Sequence, residues 1–325
     1  MPALRVLVAA CLGVGTLAAR RVTWSMDSGG TQITDGLNTS AWLRRHRSAF
    51  TDVAPCCGLW GVSETGAFSL RFDPPQPTGA EGLKGVTVMP LGGVSPAAIS
   101  SGAWAEGGAI DAATAAVVKY GWRGLMLDNE EFVGPHNATY ALRFAELVGN
   151  LSLGLRAVNA SLVVDVASDW RGDVVGPEYI PQFAAARGAP RILDMATYYG
   201  PVGGMQFGKP YPRTIKGLGK KLSTLLSLVP SLTQVTTGIG LQSAPGHLNS
   251  SCGAWPQCAN LTDPACGCCD YGWTQPTLRE FLALVEAAGV QELFVWRQDM
   301  TPPPGTSASI PQWFIDEMAG FLARA

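Results

Sequence analysis

Two acidic residues separated by one position, Asp128 and Glu130, directly follow an apolar run at Gly124–Leu127. If that run is a β-strand, side chains two positions apart point to the same side, and the two carboxyl groups are neighbours. As anions they repel, so one of them is expected to keep its proton towards neutral pH. A protonated Glu130 beside an ionised Asp128 suits general acid catalysis. The alternative is an acid-rich first turn of a helix, which implies no chemistry.

Short apolar runs of this kind recur along the chain and alternate with segments of helical pattern. Eight runs are predicted as strands: Val22–Met26, Phe50–Ala54, Gly85–Met89, Gly124–Leu127, Leu162–Val166, Ile192–Thr197, Val235–Leu241 and Leu293–Trp296. The predicted helices are Ala41–Arg47, Ala109–Tyr120, Tyr140–Val158, Tyr179–Ala186, Leu218–Leu228, Gln275–Ala288 and Pro311–Ala323. The alternation indicates parallel βαβ units buried on both faces of the sheet. Eight such units predict an α/β fold, a single (β/α)8 TIM barrel.

Polar and aromatic residues follow several of the predicted strands. In a barrel they lie together, because the carboxyl ends of the strands form one rim. Aromatic faces stack on sugar rings, and carboxyl groups bind hydroxyl and glycosidic oxygens, so the mixture favours a carbohydrate ligand. Besides the acidic pair, the predicted substrate contacts at this rim are Trp170, Tyr198, Tyr199, Gln242, Trp296 and Asp299.

Four of these strand ends resemble one known family. The run from Gly124 to Glu130 is similar to the active-site strand of chitinase-like glycoside hydrolases of family 18. Pro90-Leu91-Gly92-Gly93 resembles the Ser-x-Gly-Gly that ends that family's third strand, and Ala196-Thr197-Tyr198-Tyr199 resembles its sixth-strand Met-Thr-Tyr-Asp. Trp296 stands where the family has its eighth-strand Trp. The resemblance implies a TIM barrel that cleaves β-1,4 bonds next to N-acetylglucosamine.

The resemblance also implies a role for each matched residue. Glu130 is expected to be the general acid/base, and Asp128 to orient and stabilise the substrate's acetamido group. Tyr198 is expected to hydrogen-bond that group, and Trp296 to form the floor under the sugar. In this family the acetamido group itself attacks, so the enzyme supplies no nucleophile.

The end of the predicted seventh strand agrees with that mechanism. Barrel hydrolases that use two enzyme carboxylates need a nucleophile about 5 Å from the acid, in many barrels a Glu at this position. Here the strand ends Gly240-Leu241-Gln242, without an acid.

Three positions depart from the family pattern. Met126 replaces an inner Asp, Tyr199 replaces the Asp after the catalytic Tyr, and Pro90 replaces the Ser. Since active-site carboxylates depend on the groups that support them, two alternatives stay open. One is a lectin-like barrel that binds glycans without cleaving them. The other is a barrel hydrolase of different specificity, with a second carboxylate from Asp165, Asp194 or Asp299.

The composition is typical of a folded protein, and the chain is predicted to form a single domain. The chain has 325 residues, of which 47% are hydrophobic and 15% charged, and its formal net charge is −2. It has no basic run with interleaved aromatics, so nucleic acid is not expected as a partner. No linker divides it, which predicts one barrel domain over residues 20–325.

The first 19 residues have the pattern of a secretory signal peptide. Arg5 precedes an apolar stretch from Val6 to Ala19, and no later stretch reaches the roughly 20 apolar residues that span a bilayer. The alternative is that this apolar stretch forms a buried first strand or helix of the fold. Glycosylation sequons agree with export; they lie at Asn38, Asn137, Asn150, Asn159, Asn249 and Asn260. The chain is therefore predicted to be secreted and to meet carbohydrate outside the cell.

The cysteines are also typical of an exported protein. Outside the signal there are the adjacent pair Cys56–Cys57 and a crowded group at Cys252, Cys258, Cys266, Cys268 and Cys269. We expect disulfides rather than a zinc cluster, because the group has no paired Cys-x-x-Cys or neighbouring His in ligand spacing. Their region, Ser243–Gly272, is predicted to be a Cys-rich insertion between strands 7 and 8. The disulfide connectivity stays open, and because seven is an odd number, at least one thiol is free or pairs between chains.

No metal or cofactor is predicted. The three His residues, His46, His136 and His247, are scattered along the chain, which is unlike a His-based metal site. Acid/base cleavage of a glycosidic bond requires no cofactor.

Overall fold

The computed structural model describes residues 19–27, 33–34, 36–72, 78, 80, 82–128, 138–166, 180–194, 197–198, 204–206, 209–211, 214–241, 273, 275–297, 310 and 312–324. Its strands are β1 (Arg21–Asp27), β2 (Ile33–Thr34), β3 (Leu37–Asn38), β4 (Asp52–Cys56), β5 (Trp60–Val62), β6 (Phe68–Leu70), β7 (Thr87–Val88), β8 (Leu91–Val94), β9 (Gly124–Leu127), β10 (Ser161–Val166), β11 (Arg191–Asp194), β12 (Gly204–Gln206), β13 (Lys209–Tyr211), β14 (Val235–Leu241) and β15 (Glu292–Arg297). Its helices are α1 (Thr39–Arg45), α2 (Pro96–Ser101), α3 (Ala103–Glu106), α4 (Ala109–Tyr120), α5 (Ala138–Ala157), α6 (Ile180–Ala184), α7 (Ile215–Leu228), α8 (Gln275–Ala287) and α9 (Gln312–Ala323).

Eleven of these strands form one curled sheet, in the order β6-β5-β8-β9-β10-β11-β14-β15-β1-β4-β7. Its neighbouring strands run parallel, except for the antiparallel pair β5–β6. Helices separate β9, β10, β11, β14 and β15 along the chain wherever the connection is described, which confirms the predicted α/β alternation. The carboxyl ends of the parallel strands therefore meet at one edge of the sheet.

The third predicted strand is wrong in its bounds. Instead of one strand at Gly85–Met89, the chain forms β7 and β8, with Met89 and Pro90 between them. Proline has no N–H to donate to a ladder, which explains the interruption. The backbone N–H of Met89 still donates to Val53 at 2.9 Å, and that of Arg123 donates to Val88 at 2.9 Å. The interrupted segment thus contacts β4 on one side and β9 on the other.

Two other predicted strands have shifted bounds. The second lies at Asp52–Cys56 rather than Phe50–Ala54, and the sixth covers Arg191–Asp194 rather than continuing to Thr197. The hairpin β5–β6 and the helices α2 and α3 have no counterpart among the predicted elements. Their sequence lacks an apolar run of strand length or a helical stripe, so periodicity did not reveal them.

The strand that carries Asp128 is placed by the helix before it. Helix α4 ends at Tyr120, and the φ of 64° at the following Gly121 is the left-handed conformation that glycine adopts without strain. The backbone N–H of Gly121 caps the helix, and the chain reverses into β9. All four residues of β9 are buried, as expected for a strand covered on both faces.

Charged side chains lie at the opposite edge, at the amino ends of the strands. The Asp52 side chain is fully buried. Its Oδ1 accepts a hydrogen bond from Arg21 Nη2 at 2.6 Å and lies 3.1 Å from Arg123 Nε. Glu292 lies 2.7 Å from Arg191 Nη1 and 3.6 Å from Arg123 Nη1. Arg123 thus joins the two carboxylates into one network. We call these five side chains the amino-end ion cluster.

Among the described residues, no helix is both long enough and apolar enough to cross a membrane. The same ranges hold no group of three or more His, Cys, Asp or Glu side chains placed to bind a metal ion.

Candidate functional site

Asp128 lies at the carboxyl end of β9, half-buried, where the sequence predicted a reactive carboxylate. Its backbone N–H donates to the carbonyl of Gly92 in β8 at 2.8 Å, which fixes it to the neighbouring strand. The residue lines a cavity of about 380 Å³ together with Trp60 and the residues of β8. Asp128 therefore faces a space that a ligand group can enter.

The wall of this cavity depends on a close approach between Trp60 and Gly92. The Trp60 indole N–H donates to the carbonyl of Pro90 at 3.0 Å, and the side chain is 2% exposed. A Cβ atom at Gly92 would overlap the Trp60 ring and its carbonyl oxygen. The glycine in Pro90-Leu91-Gly92-Gly93 is thus required by packing against Trp60.

An aromatic stack lies at the same edge, formed by Tyr198 beyond β11 and Trp296 near the end of β15. The rings of Tyr198 and Trp296 are nearly parallel, 3° apart, with their centroids separated by 6.2 Å. Tyr198 also contacts Phe294 at 6.1 Å between centroids. The structure therefore brings together two of the residues for which a sugar-binding role is predicted.

Hydrogen bonds hold Tyr198 against β14. The Thr197 hydroxyl donates to the carbonyl of Gly238 at 2.8 Å, and the Gly238 N–H donates to that hydroxyl at 3.1 Å. The carbonyl of Tyr198 accepts from Gly240 N at 2.8 Å and from the Trp273 indole at 3.1 Å. The Tyr198 ring fills the space above Gly238, where a Cβ atom would overlap it.

We expect Gly238→Ala to displace Tyr198, because the added methyl group and the ring cannot occupy the same space. Overpacking of this kind costs about 1–3 kcal/mol of stability. Sugar binding or turnover should fall with it, since small displacements of site residues are costly. The measurement is the unfolding midpoint together with activity or ligand affinity. Gly217→Ala is the control, because there a Cβ would lie 3.4 Å from Thr214 Oγ1, an ordinary contact; equal losses in both variants would contradict the argument.

Met126 stands one layer below Asp128, and its side chain is 1% exposed. Position 126, where the family pattern has an inner Asp, therefore provides no carboxylate to support Asp128. On the neighbouring strand β10, Asp165 is 3% exposed and follows Val164, the register partner of Leu127. Successive residues of parallel strands stay in register, so Asp165 lies beside Asp128 on the same face. Of the acidic side chains that the structure describes, that of Asp165 is the best placed to support Asp128.

The remaining predicted residues lie outside the described parts of the chain. They are Glu130, Trp170, Tyr199, Gln242 and Asp299, together with the five cysteines of Ser243–Gly272 and the signal peptide up to residue 18. Asp194 ends β11, but its side chain is likewise outside the described residues. Cys56 and Cys57 are at the carboxyl end of β4 with their sulfur atoms in contact.

Trp60 and Trp273 contact the candidate site, and the sequence analysis did not identify them. Trp60 lies past the end of the second strand, in a hairpin that periodicity did not predict. Trp273 precedes the helix at Gln275, and nothing near it in the sequence indicates its contact with Tyr198. An aromatic residue close to a strand end was the available signal.

No protein-family model matches the chain, and no curated protein matches its sequence. Solved structures do. The chitinase from Chromobacterium violaceum is 14% identical with a TM-score of 0.60, covering 94% of this chain and 100% of that one. A class V chitinase from Pseudomonas fluorescens is 16% identical with a TM-score of 0.62, covering 93% and 99%. The spore cortex-lytic enzyme of Bacillus megaterium is 13% identical with a TM-score of 0.59, covering 92% and 74%. At these identities the likeness shows the fold: the chain has a chitinase-like α/β fold.

Proposed function

We propose that this protein is a secreted glycoside hydrolase that cleaves glycans containing N-acetylglucosamine. The observation that carries the proposal is the rim itself: the Tyr198–Trp296 stack and the half-buried Asp128 lie at the same edge of a chitinase-like fold. The partly exposed ring of Trp296 provides a surface for a sugar ring, and a carboxylate at the same edge of the sheet binds the polar groups of a sugar. The solved neighbours support this choice of substrate class, since they are chitinases and a cortex-lytic enzyme.

The proposed mechanism needs one proton donor and one stabilising carboxylate. Glu130 protonates the glycosidic oxygen, and the substrate's acetamido oxygen attacks the anomeric carbon as that bond breaks. Asp128 stabilises the positive charge that develops on the acetamido group, and Tyr198 hydrogen-bonds its oxygen. Water then opens the cyclic intermediate, with Glu130 now accepting the proton. Trp296 forms the floor beneath the sugar, and Asp165 supports Asp128 where Met126 cannot.

We further infer that the curled sheet is a complete (β/α)8 barrel. Strand β7 ends the strand order on one side, and β8 lies near its other end, joined to the hairpin β5–β6. These two strands are consecutive in the chain, and hydrogen bonds tie their segment to both β4 and β9. In this barrel the Cys-rich segment Ser243–Gly272 is an insertion between β14 and β15, closed by disulfides. In the same proposal, residues 1–19 are removed as a signal peptide and the sequons carry glycans.

The acetamido group is the feature that tests this mechanism. We expect N-acetylglucosamine oligomers to be cleaved, and glucosamine oligomers of equal length to be cleaved at least about 10²-fold more slowly, since the internal nucleophile is absent. Chromatography of the products over time measures both rates. Equal rates would show that the protein itself provides the nucleophile, and would favour the hydrolase in which Asp165, Asp194 or Asp299 supplies a second carboxylate.

A second candidate is a lectin-like barrel that binds these glycans without cleaving them. Met126 favours it, because an apolar side chain fills the position of the inner Asp in the family pattern. This candidate predicts saturable binding of N-acetylglucosamine oligomers by calorimetry and no product after long incubation.

A further inference from the structure

The amino-end ion cluster lies at the opposite edge of the sheet from Asp128 and the aromatic stack. It contains three guanidinium groups, of Arg21, Arg123 and Arg191, and two carboxylates, of Asp52 and Glu292. Three positive and two negative charges leave one net positive charge. The cluster is largely withdrawn from solvent, since the side chains of Arg123 and Glu292 are only 15% and 12% exposed.

Burial has a strong effect on Arg123. It is the largest cause of a pKa lowered to about 10; the charges of Asp52 and Glu292 raise this pKa, and those of Arg191 and Arg21 lower it to a smaller extent. A guanidinium ordinarily keeps its proton well above that value. A guanidinium withdrawn from water in this way is stabilised by a further negative charge placed beside it.

A cavity of about 280 Å³ opens directly onto this cluster. All three arginines of the cluster line this cavity. Of the two carboxylates, that of Glu292 lines it and that of Asp52 does not. Gln291 and Thr233 add polar groups, and Leu232 lies at the wall with 47% of its surface exposed. The volume is below the roughly 300 Å³ at which sites for drug-sized ligands begin, so it suits a small occupant.

We propose that this cavity is a binding site for a small oxyanion of the phosphate or sulfate class. Arginine presents several N–H donors in a planar fork that matches the oxygen atoms of such anions. An anion here supplies the missing negative charge and bridges the starts of β1, β11 and the segment before β9. Because the site is at the amino ends of the strands, its expected effect is on stability rather than on catalysis.

The test is thermal unfolding of the purified full chain in inorganic phosphate, with sodium chloride adjusted to hold the ionic strength constant. Phosphate should raise the midpoint by about 2–4 °C in a saturable manner. Sulfate should act similarly and acetate less, because acetate offers fewer oxygen atoms. No shift with either tetrahedral anion would overturn the proposal.

Three variants decide whether the shift comes from this cavity. Arg191→Gln should abolish the phosphate response, whereas Lys216→Gln, which removes an exposed charge from α7, should keep it. Leu232→Glu places a carboxylate at the cavity wall without disturbing the core, and it should also remove the response while folding normally. If Lys216→Gln loses the response too, or Leu232→Glu keeps it, the cavity is not the site.

Discussion

Replacing Glu130 with Gln should abolish hydrolysis of N-acetylglucosamine oligomers while leaving the fold intact. The amide occupies the same volume but has no acidic proton for the leaving glycosidic oxygen. Loss of a general acid typically costs about 10²–10⁴-fold in rate. The measurement is kcat on a fluorogenic oligomer, with the unfolding midpoint recorded for the same preparation.

Glu131→Gln is the matched control, because it makes the same chemical change one position along the chain. In an extended segment its side chain points away from that of Glu130, so activity should be retained. Equal activity in Glu130→Gln and wild type would remove Glu130 from the mechanism. Binding of the oligomer should survive in Glu130→Gln, which separates a catalytic role from a contact that holds substrate.

Replacing Asp52 with Asn should cause the largest loss of stability in the described part of the chain. The Asp52 side chain is fully buried and pairs with both Arg21 and Arg123. Removal of one partner from a buried ion pair leaves an uncompensated charge, at a cost of about 3–5 kcal/mol. Denaturant unfolding measures the change. Asp111→Asn, at an exposed position in the first turn of α4, should cost less than about 1 kcal/mol.

Asp52 is also expected to make the stability of the protein depend on pH. Burial acts to raise the pKa of Asp52, but the charge of Arg123 and the hydrogen bonds from Arg21 and Thr87 outweigh it, so the pKa is lowered. A lowered carboxyl pKa stabilises the folded state above the unfolded value of about 3.9, and this contribution is lost as the pH falls through the folded value. The stability gap between wild type and Asp52→Asn should therefore narrow below about pH 4. A constant gap down to pH 2 would mean that Asp52 acts through its shape rather than its charge.

The regular parts of the fold were predictable from the sequence because they carry a strong periodic signal. Gly124–Leu127, Val235–Leu241 and Ala109–Tyr120 were predicted with the observed bounds. Each is an apolar run or an amphipathic stripe that ends at glycine, a polar residue or an acid. Asp128 followed from the bounds of Gly124–Leu127, and Trp296 from the predicted eighth strand, because a residue just beyond or at the end of a parallel strand lies at the carboxyl edge.

The parts that were missed depend on contacts between residues far apart in the chain. Pro90 interrupts a strand that the apolar pattern alone continues. Trp60 and Trp273 reach the site through a hairpin and a loop, and their partners, Gly92 and Tyr198, are distant in sequence. The amino-end ion cluster likewise joins residues from separate strands, and no local pattern relates Asp52 to Arg123.

The most direct test of the proposed function is turnover of fluorogenic N-acetylglucosamine oligomers by the purified wild-type protein. A glycoside hydrolase with its site at this rim should release product steadily, well beyond one equivalent per protein molecule. Saturable binding without product would contradict the hydrolase and establish the glycan-binding barrel instead. If the protein neither bound nor cleaved these oligomers, the chitinase-like fold would be serving a different chemistry.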